Sequence, residues 1–313
     1  MAGGKIRLGT RGSALALAQA GTVAEALGDA ELVTIRTSGD QPEAGAGPSS
    51  GSPSPGGDKS RFVREIERAL LEKSVDLAVH SAKDLPTELP QGLAIAGVPE
   101  REDPRDAYVG DASSLAEVPE GATIGTASLR RRAQLLAERP DLNVVEIRGN
   151  VDTRMRRLAD GDFDGLVLAA AGLRRLGRAS EIAFEFGDGL LTPAAGQGAL
   201  AVEGREGDHA EARAATLNDP STVAAVACER AAVRALDAGC DTPVGVHASP
   251  AEDGRMRVRG FCGLPDGSEW IRDEHEGDAS AAERIGHELA ERMRGAGAAE
   301  LLERAAEMAG SAA

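Results

Sequence analysis

Three short apolar runs, each ending in a turn that starts a helix and carries arginine, constrain this chain's fold more than any other feature. Thr123 to Gly125 runs into Thr126-Ala-Ser-Leu-Arg-Arg-Arg132, which opens a helix reaching about Arg139. Asn143 to Ile147 ends in Arg148-Gly-Asn-Val-Asp-Thr-Arg154, the start of the next helix, and Leu166 to Ala170 is followed by Ala171-Gly-Leu-Arg-Arg-Leu-Gly177. Strands alternating with helices on this scale predict a mostly parallel sheet. The first hundred residues repeat the pattern. Lys5 to Gly9 reads as a strand and Thr10-Arg-Gly-Ser13 as its turn, with Ser13 placed to cap a helix over Ala14 to Leu27. Leu32 to Thr37, the run at Leu77 and Leu93 to Val98 are further strands, and Phe62 to Lys73 has helical periodicity. Ala107 to Val109 is a strand following Arg101-Glu-Asp-Pro-Arg-Asp106, whose charges and proline read as a hinge. Two such sheets predict two lobes with a cleft between them.

The remaining segments complete the plan. Residues 41–58, dense in Gly, Pro and Ser, cannot form a core and are expected to be a mobile loop. Leu191-Thr-Pro-Ala-Ala-Gly-Gln-Gly198 is a glycine turn leading into a strand through Val202 that returns to the first lobe. From Pro220 the pattern changes to a helix (Thr222 to Leu236), the turn Asp237-Ala-Gly-Cys-Asp-Thr-Pro243, and strands over Gly245 to Ala248, Met256 to Gly263 and Trp270 to Glu274. Asp253-Gly254 and Asp266-Gly267 mark hairpins, and a helix from about Ala279 to Met293 precedes one more helical turn. The expected division is lobe 1 over 1–99 and 198–216, lobe 2 over 103–195, and a smaller C-terminal α+β domain over 219–313.

Composition narrows the function. Aromatic residues are 2% of the chain and the net charge is -16, which argues against base-stacking platforms and nucleic-acid partners. Only Lys5, Lys59, Lys73 and Lys83 are lysines, so 31 of the 35 basic residues are arginine, set against 51 acidic ones. GC-rich codon usage favours arginine but does not explain the acid excess, and a surface adapted to a salty cytoplasm does. Neither an apolar leader nor a membrane-length run is present, and three cysteines without Cys-x-x-Cys spacing indicate neither a disulfide framework nor a zinc site. A cytoplasmic enzyme or binding protein is the expectation.

Within Asp76-Leu-Ala-Val-His-Ser-Ala-Lys-Asp-Leu-Pro86, the apolar run Leu77 to Val79 gives way to His80, Ser81, Lys83 and Asp84. Pro86 disfavours helix before it, so the polar cluster falls on a turn at a strand's carboxyl end, where open α/β sheets bind ligands. A solvated Lys-Asp turn is the plainer reading. Arg11, Arg130, Arg131, Arg132, Arg148, Arg154, Arg174 and Arg175, with Lys83, all fall at strand ends. Guanidinium groups pair carboxylates and phosphates bidentately, so a ligand rich in such groups is implied. Exposed helix-face pairing suits Arg132 and Arg174 better. Cys240 lies in a turn outside any apolar periodicity, unlike Cys228 and Cys262, and could be inert, a nucleophile or a covalent attachment point.

The chain resembles the porphobilinogen deaminase (hydroxymethylbilane synthase) family along nearly its whole length. The motifs are Gly-Thr-Arg-Gly-Ser at 9–13, Val-His-Ser-Ala-Lys-Asp-Leu-Pro at 79–86, Arg-Glu-Asp-Pro-Arg-Asp at 101–106 and Gly-Thr-Ala-Ser-Leu-Arg-Arg at 125–131. Arg-Gly-Asn-Val-Asp-Thr-Arg at 148–154, Ala-Gly-Leu-Arg-Arg-Leu-Gly at 171–177, Pro-Ala-Ala-Gly-Gln-Gly-Ala at 193–199 and Gly-Cys-Asp-Thr-Pro-Val-Gly at 239–245 follow. The resemblance implies two periplasmic-binding-protein-like lobes with mostly parallel sheets and a small third domain. It implies a transferase of tetrapyrrole and heme biosynthesis that condenses four porphobilinogen units, each losing ammonia, onto a dipyrromethane cofactor held by Cys240 through a thioether. Water then releases the linear tetrapyrrole. By the same resemblance Asp84 is the catalytic carboxylate, assisting proton transfer and stabilising a cationic azafulvene. Arg11, Ser13, Lys83, Thr126, Ser128, Arg130, Arg131, Arg148, Arg154 and Arg175 match positions that hold acetate and propionate groups. Lys59, Phe62, Ser81 and Gln197 match the substrate pocket. A monomer is implied, with uroporphyrinogen-III synthase as acceptor of the product.

Two departures stand out. The loop before Phe62 reads Gly56-Gly-Asp-Lys-Ser-Arg-Phe62 in place of the family's Gly-Gly-Lys-Gly-x-Phe, and Ala127 replaces a common serine. A two-lobed polycarboxylate-binding protein without chemistry would share the arginines but need neither Asp84 nor Cys240. A Schiff-base enzyme using Lys83 is a third reading, weakened by Asp84 beside it.

Overall fold

The structure is a computed structural model that describes residues 5–35, 58–239 and 241–311, with the backbone alone at 58–62 and 311. The chain divides into two compact units, Met1–Glu100 with Leu200–Asp219, and Arg101–Ala199 with Pro220–Ala313.

The first unit is built on a five-stranded sheet. Its strands are β1 (Ile6–Thr10), β2 (Ala30–Thr34), β3 (Leu77–Ser81), β4 (Leu93–Gly97) and β10 (Leu200–Arg205), in the order β2-β1-β3-β10-β4. β10 alone runs antiparallel to its neighbours. Helix α1 (Ala14–Leu27) starts where expected because the Ser13 hydroxyl accepts from the Ala16 amide, and it stops at Gly28 in a left-handed turn. With α6 (His209–Ala215), which the sequence reading lacked, α1 covers Leu8, Leu77, Val79, Leu200 and Val202 on one face. Helix α2 (Asp58–Leu71) closes the other face with Ile66 and Leu70 against Ala78 and Leu93. It starts at Asp58, before Phe62, and ends ahead of Lys73, whose φ of 59° is incompatible with helix. Residues 41–57 of the expected loop lie outside the described residues.

The second unit contains a sheet of the same plan. Its strands are β5 (Asp106–Gly110), β6 (Thr123–Gly125), β7 (Asn143–Val145), β8 (Gly165–Ala169) and β9 (Phe184–Glu185), ordered β7-β6-β8-β5-β9. Here β5 is the antiparallel strand. Helix α3 (Leu129–Glu138) covers one face, and α4 (Val151–Ala159) with α5 (Ala170–Arg175) covers the other. The remainder of the unit is an antiparallel sheet of β11 (Val244–Pro250), β12 (Arg255–Gly263) and β13 (Trp270–Asp278). Helices α7 (Pro220–Ala235), α8 (Ala282–Gly295) and α9 (Ala298–Ser311) pack on it around Val246, Val258, Ile285 and Leu289. The chain is thus two lobes of mostly parallel sheet and a smaller α+β domain. The final helical turn expected from sequence is a full helix, α9. Among the described residues no helix is long and apolar enough to cross a membrane.

Register shows that the two lobes share one scaffold. Gly9 of β1 lies beside Ala78 of β3, and Gly125 of β6 beside Leu166 of β8. Across the antiparallel strand, Ala78 faces Glu203 and Leu166 faces Val109. The left-handed residues Lys73 (φ 59°) and Gly161 (φ 81°) stand equally far before these strands.

Candidate carboxylate-binding and catalytic residues

In the first unit the turn after β3 is a short 3-10 segment, Ala82–Asp84. Ala82 and Leu85 are buried and pin it to the core, while Ser81, Lys83 and Asp84 between and before them remain partly accessible. That is the arrangement of a rigid platform presenting polar groups. The turn after β1 carries Arg11 and Ser13, both partly accessible. Beneath it the buried Thr10 hydroxyl donates to the Ala16 carbonyl at 3.1 Å, tying the turn to α1.

In the second unit the corresponding turn is Thr126–Ser128. The Thr126 hydroxyl accepts from the Ser128 amide at 3.3 Å, and Ser128 caps α3. Arg130 and Arg131 then enter the core and meet Asp106, the first residue of β5, which is 0% exposed. Arg130 Nη1 donates to Asp106 Oδ2 and to the Thr192 carbonyl, both at 2.7 Å. Arg131 Nε donates to Asp106 Oδ1 at 2.9 Å, and its Nη atoms donate to the Val167 carbonyl and to Gln197 Oε1. Gln197 Nε2 closes the cluster on Asp106 Oδ1 at 2.8 Å and on the Pro104 carbonyl at 2.7 Å. Burial pushes the Asp106 carboxyl up, but Arg130, Arg131 and Gln197 outweigh it and hold it well below the usual carboxylate range.

The expected arginine set is therefore brought together in part. Arg154 is half-buried on α4, its Nε bonded to the Gly149 carbonyl. Its pKa falls to about 10, first from burial and then from repulsion by Arg131, with Glu146 alone opposing. Arg175 donates to the Gly198 carbonyl at 2.7 Å, and burial lowers its pKa. Arg148 does not join them: its side chain is 81% exposed and paired with Glu146. Arg174 bridges Glu102, Asp103 and Glu185, the structural pairing suited to it. Gln197 is 0% exposed and braces Arg131, so its place is behind the cations. Lys59 and Phe62 lie on the first turns of α2, their side chains outside the described residues, and Cys240 is likewise outside them.

One signal that sequence reading passed over is Asp106, an acid heading an apolar strand. A second is Glu229 on α7. Its buried carboxylate accepts from both Nη atoms of Arg101, from the Gly196 amide at 2.6 Å and from the Ala248 amide at 2.8 Å, with His247 Nδ1 at 3.3 Å. Burial raises the Glu229 carboxyl, but Arg101 and His247 bring it down to about 2. The segments at Arg101 and at Gly196, next to two of the three places where the chain passes from one unit to the other, are thereby fastened to the helix that leads to residue 240.

Arg130 and Arg131 share one buried carboxylate, half-buried Arg154 is a third cation near enough to Arg131 to be repelled by it, and among the described residues Arg130 Nε is buried without a hydrogen-bond partner. Such surplus positive charge with an unfilled donor fits a ligand carrying several carboxylates. Fold and residues together define a two-lobed α/β protein for polyanionic small molecules with an appended α+β domain. Comparison with known families gives the particular one. Residues 6–213 match "Porphobilinogen deaminase, dipyromethane cofactor binding domain" and residues 223–295 match "Porphobilinogen deaminase, C-terminal domain". The chain belongs to the porphobilinogen deaminase family. It is 49% identical to the porphobilinogen deaminase of Thermus thermophilus over 94% of this chain and 97% of the relative. It is 43% identical to that of Trichlorobacter lovleyi (97% and 97%) and 45% identical to that of Deinococcus radiodurans (95% and 98%). A Salmonella typhimurium periplasmic binding protein of high arginine specificity is similar at a TM-score of 0.38 and 12% identity, covering 71% of this chain and 94% of its own.

Proposed function

We propose that this chain is a hydroxymethylbilane synthase. It condenses four porphobilinogen units, with loss of ammonia from each, onto a dipyrromethane cofactor joined to Cys240 Sγ, and then releases the linear tetrapyrrole with water. The observation that carries this is the pair of buried guanidinium groups on the single carboxylate of Asp106, with half-buried Arg154 beside Arg131, a cluster with more positive than negative charge that suits the acetate and propionate of each pyrrole. The cofactor supplies a primer with a free pyrrole carbon and its own carboxylates. Arg130, Arg131, Arg154 and Arg175 hold carboxylates from the second unit, with Thr126 and Ser128 adding donors at the start of α3. Arg11, Ser13 and Lys83 do so from the first unit. Arg148, exposed beside Glu146, serves the growing chain and exchanges its partner when carboxylates arrive. Ser81, Gln197, Lys59 and Phe62 complete the substrate pocket, Gln197 by fixing Arg131.

Asp84 is the catalytic residue. Its carboxylate moves a proton at the departing amine and balances the positive charge that develops on the substrate's methylene carbon. In this reading lobe 1 spans 1–99 and 198–216, lobe 2 spans 103–195, and the cofactor-bearing domain spans 219–313. The protein works as a monomer in the cytoplasm and passes its product to uroporphyrinogen-III synthase.

Cys228 and Cys262 support the assignment of Cys240 from the other side. Both are buried, and burial pushes their thiols up to about 12, which removes the thiolate needed for bond formation. Intact-mass measurement tests the reading. Wild type, Cys228→Ala and Cys262→Ala carry an adduct of two linked pyrroles, and Cys240→Ala does not. An unmodified mass in freshly purified, active wild type overturns the assignment.

A further inference from the structure

Beneath the turn that carries Asp84, three ionisable side chains from three elements are buried together. His80 on β3 is 7% exposed, Glu67 on α2 is 7% exposed, and Glu203 on β10 is 0% exposed. Glu203 faces Ala78, so it is the diagonal neighbour of His80 on the same side of the sheet, the side that α2 covers. His80 Nε2 lies 3.0 Å from Glu203 Oε2. The approach is not aligned as a hydrogen bond, and among the described residues neither Glu203 oxygen nor Glu67 Oε1 has a hydrogen-bond partner. Burial, and then the Glu203 charge, raise the Glu67 pKa, while His80 and Arg64 oppose them.

The second lobe is an internal control for what the fold itself requires. Register makes Val109 the counterpart of Glu203 and Leu168 the counterpart of His80. Glu67 stands as far before Ala78 as Met155 does before Leu166. Met155, Val109 and Leu168 belong to one hydrophobic cluster. The same three positions on the same scaffold are therefore filled by hydrocarbon where no Asp84-like residue follows, since Gly172 stands in its place. A buried ionic group is commonly less stable than a well-packed apolar one of similar volume. Stability alone does not account for the polar trio in the first lobe.

We propose that Glu67, Glu203 and His80 are positioning residues, a buried polar latch that fixes the carboxyl end of β3, and with it Asp84, relative to helix α2. His80 stands next to Ser81, the last residue of β3, so its direction sets where the following turn leaves the sheet. Hydrocarbon packing tolerates small rotations of a strand end, whereas separating a buried His–Glu pair that stands 3.0 Å apart costs electrostatic energy that no water offsets. Small displacements of a catalytic group carry large kinetic penalties. The inference rests on the assignment of Asp84 as the catalytic carboxylate.

The test gives the first lobe the second lobe's residues, in the triple variant Glu67→Met, Glu203→Val, His80→Leu. The expected protein is folded, at least as stable to heat as wild type, and loaded with cofactor by intact mass. Its single-turnover release of ammonia at saturating porphobilinogen is slower by about tenfold or more, with KM little changed. Amide exchange at Ser81 to Asp84 is faster. A loaded triple variant with the wild-type rate overturns the latch. Should the triple variant not fold, Glu203→Gln, which keeps the shape, answers the same question: a lower kcat at unchanged KM supports the latch and a wild-type kcat overturns it. Asp84→Asn measured alongside separates the two levels. If Asp84→Asn turns over normally, the catalytic assignment fails. If it is inactive while the latch variants are normal, only the latch fails.

Discussion

Asp106 binds two guanidinium groups with one carboxylate, and both depend on it for their place in the second unit. Asp106→Asn keeps the volume and leaves two buried cations without their counter-charge. The expected loss is about 3–5 kcal/mol in urea unfolding at neutral pH, the range for breaking a buried pair. The sign of the pH dependence follows from a carboxyl lowered on folding. Its contribution is complete above the ordinary aspartate range and is lost only as pH falls through the lower folded value. The deficit of the variant should therefore be the same at pH 7 and pH 5, and a deficit below about 1 kcal/mol at pH 7 contradicts the hub. Sequence alone indicated Arg130 and Arg131 as ligand groups because of their residue type at a strand end. It could not show that Asp106 and Gln197 hold them, since those residues come from segments remote in the chain and meet only through strand register. Glu67 and Glu203 were hidden for the same reason, and His80, which the sequence puts in the polar turn after the strand, is instead a buried residue of β3 itself.

At the level of elements, local chemistry decided what could be read in advance. α1 was legible to its boundaries because Ser13 is a strong start residue and Gly28 a strong stop. β9, with only Phe184 and Glu185, and the short α6 have too few residues to show a period. α3 begins at Leu129 because Ser128 takes the cap, so Thr126 remains in the turn, buried, with its hydroxyl accepting from the Ser128 amide. The contact of α7 with α8 shows a constraint that pattern reading does not reach. A Cβ on Gly286 would lie 2.1 Å from the Cys228 carbonyl oxygen, so the helices approach only because that position has no side chain. Gly286→Ala is expected to cost about 1–3 kcal/mol, the range for overpacking a close contact. A urea midpoint equal to that of wild type would show that α8 can shift without strain.

For the whole molecule, 51 acidic residues against 35 basic ones give a net charge of -16, a self-repulsion that salt screens. Exposed pairs such as Arg304 with Glu269 and Arg292 with Asp273 are weakened by the same screening, but pairs of this kind contribute little each. Repulsion should dominate, so the melting temperature rises by several degrees between low and multimolar potassium chloride, given that about 1 kcal/mol moves a chain of this size by roughly 2–4 °C. A midpoint that stays level or falls with salt rules out adaptation to a salty interior. The position of β10 has a different consequence, one in time. β10 lies between β3 and β4, so those strands cannot be bridged until the ribosome has passed Arg205. At about 5–20 residues per second, the wait after β4 is made is on the order of ten seconds. Throughout it β3 and β4 each present an unpaired edge to other nascent chains, and Glu203, the partner of His80, does not yet exist. The turn bearing Asp84 is synthesised early and acquires its support only after the whole second sheet has been made.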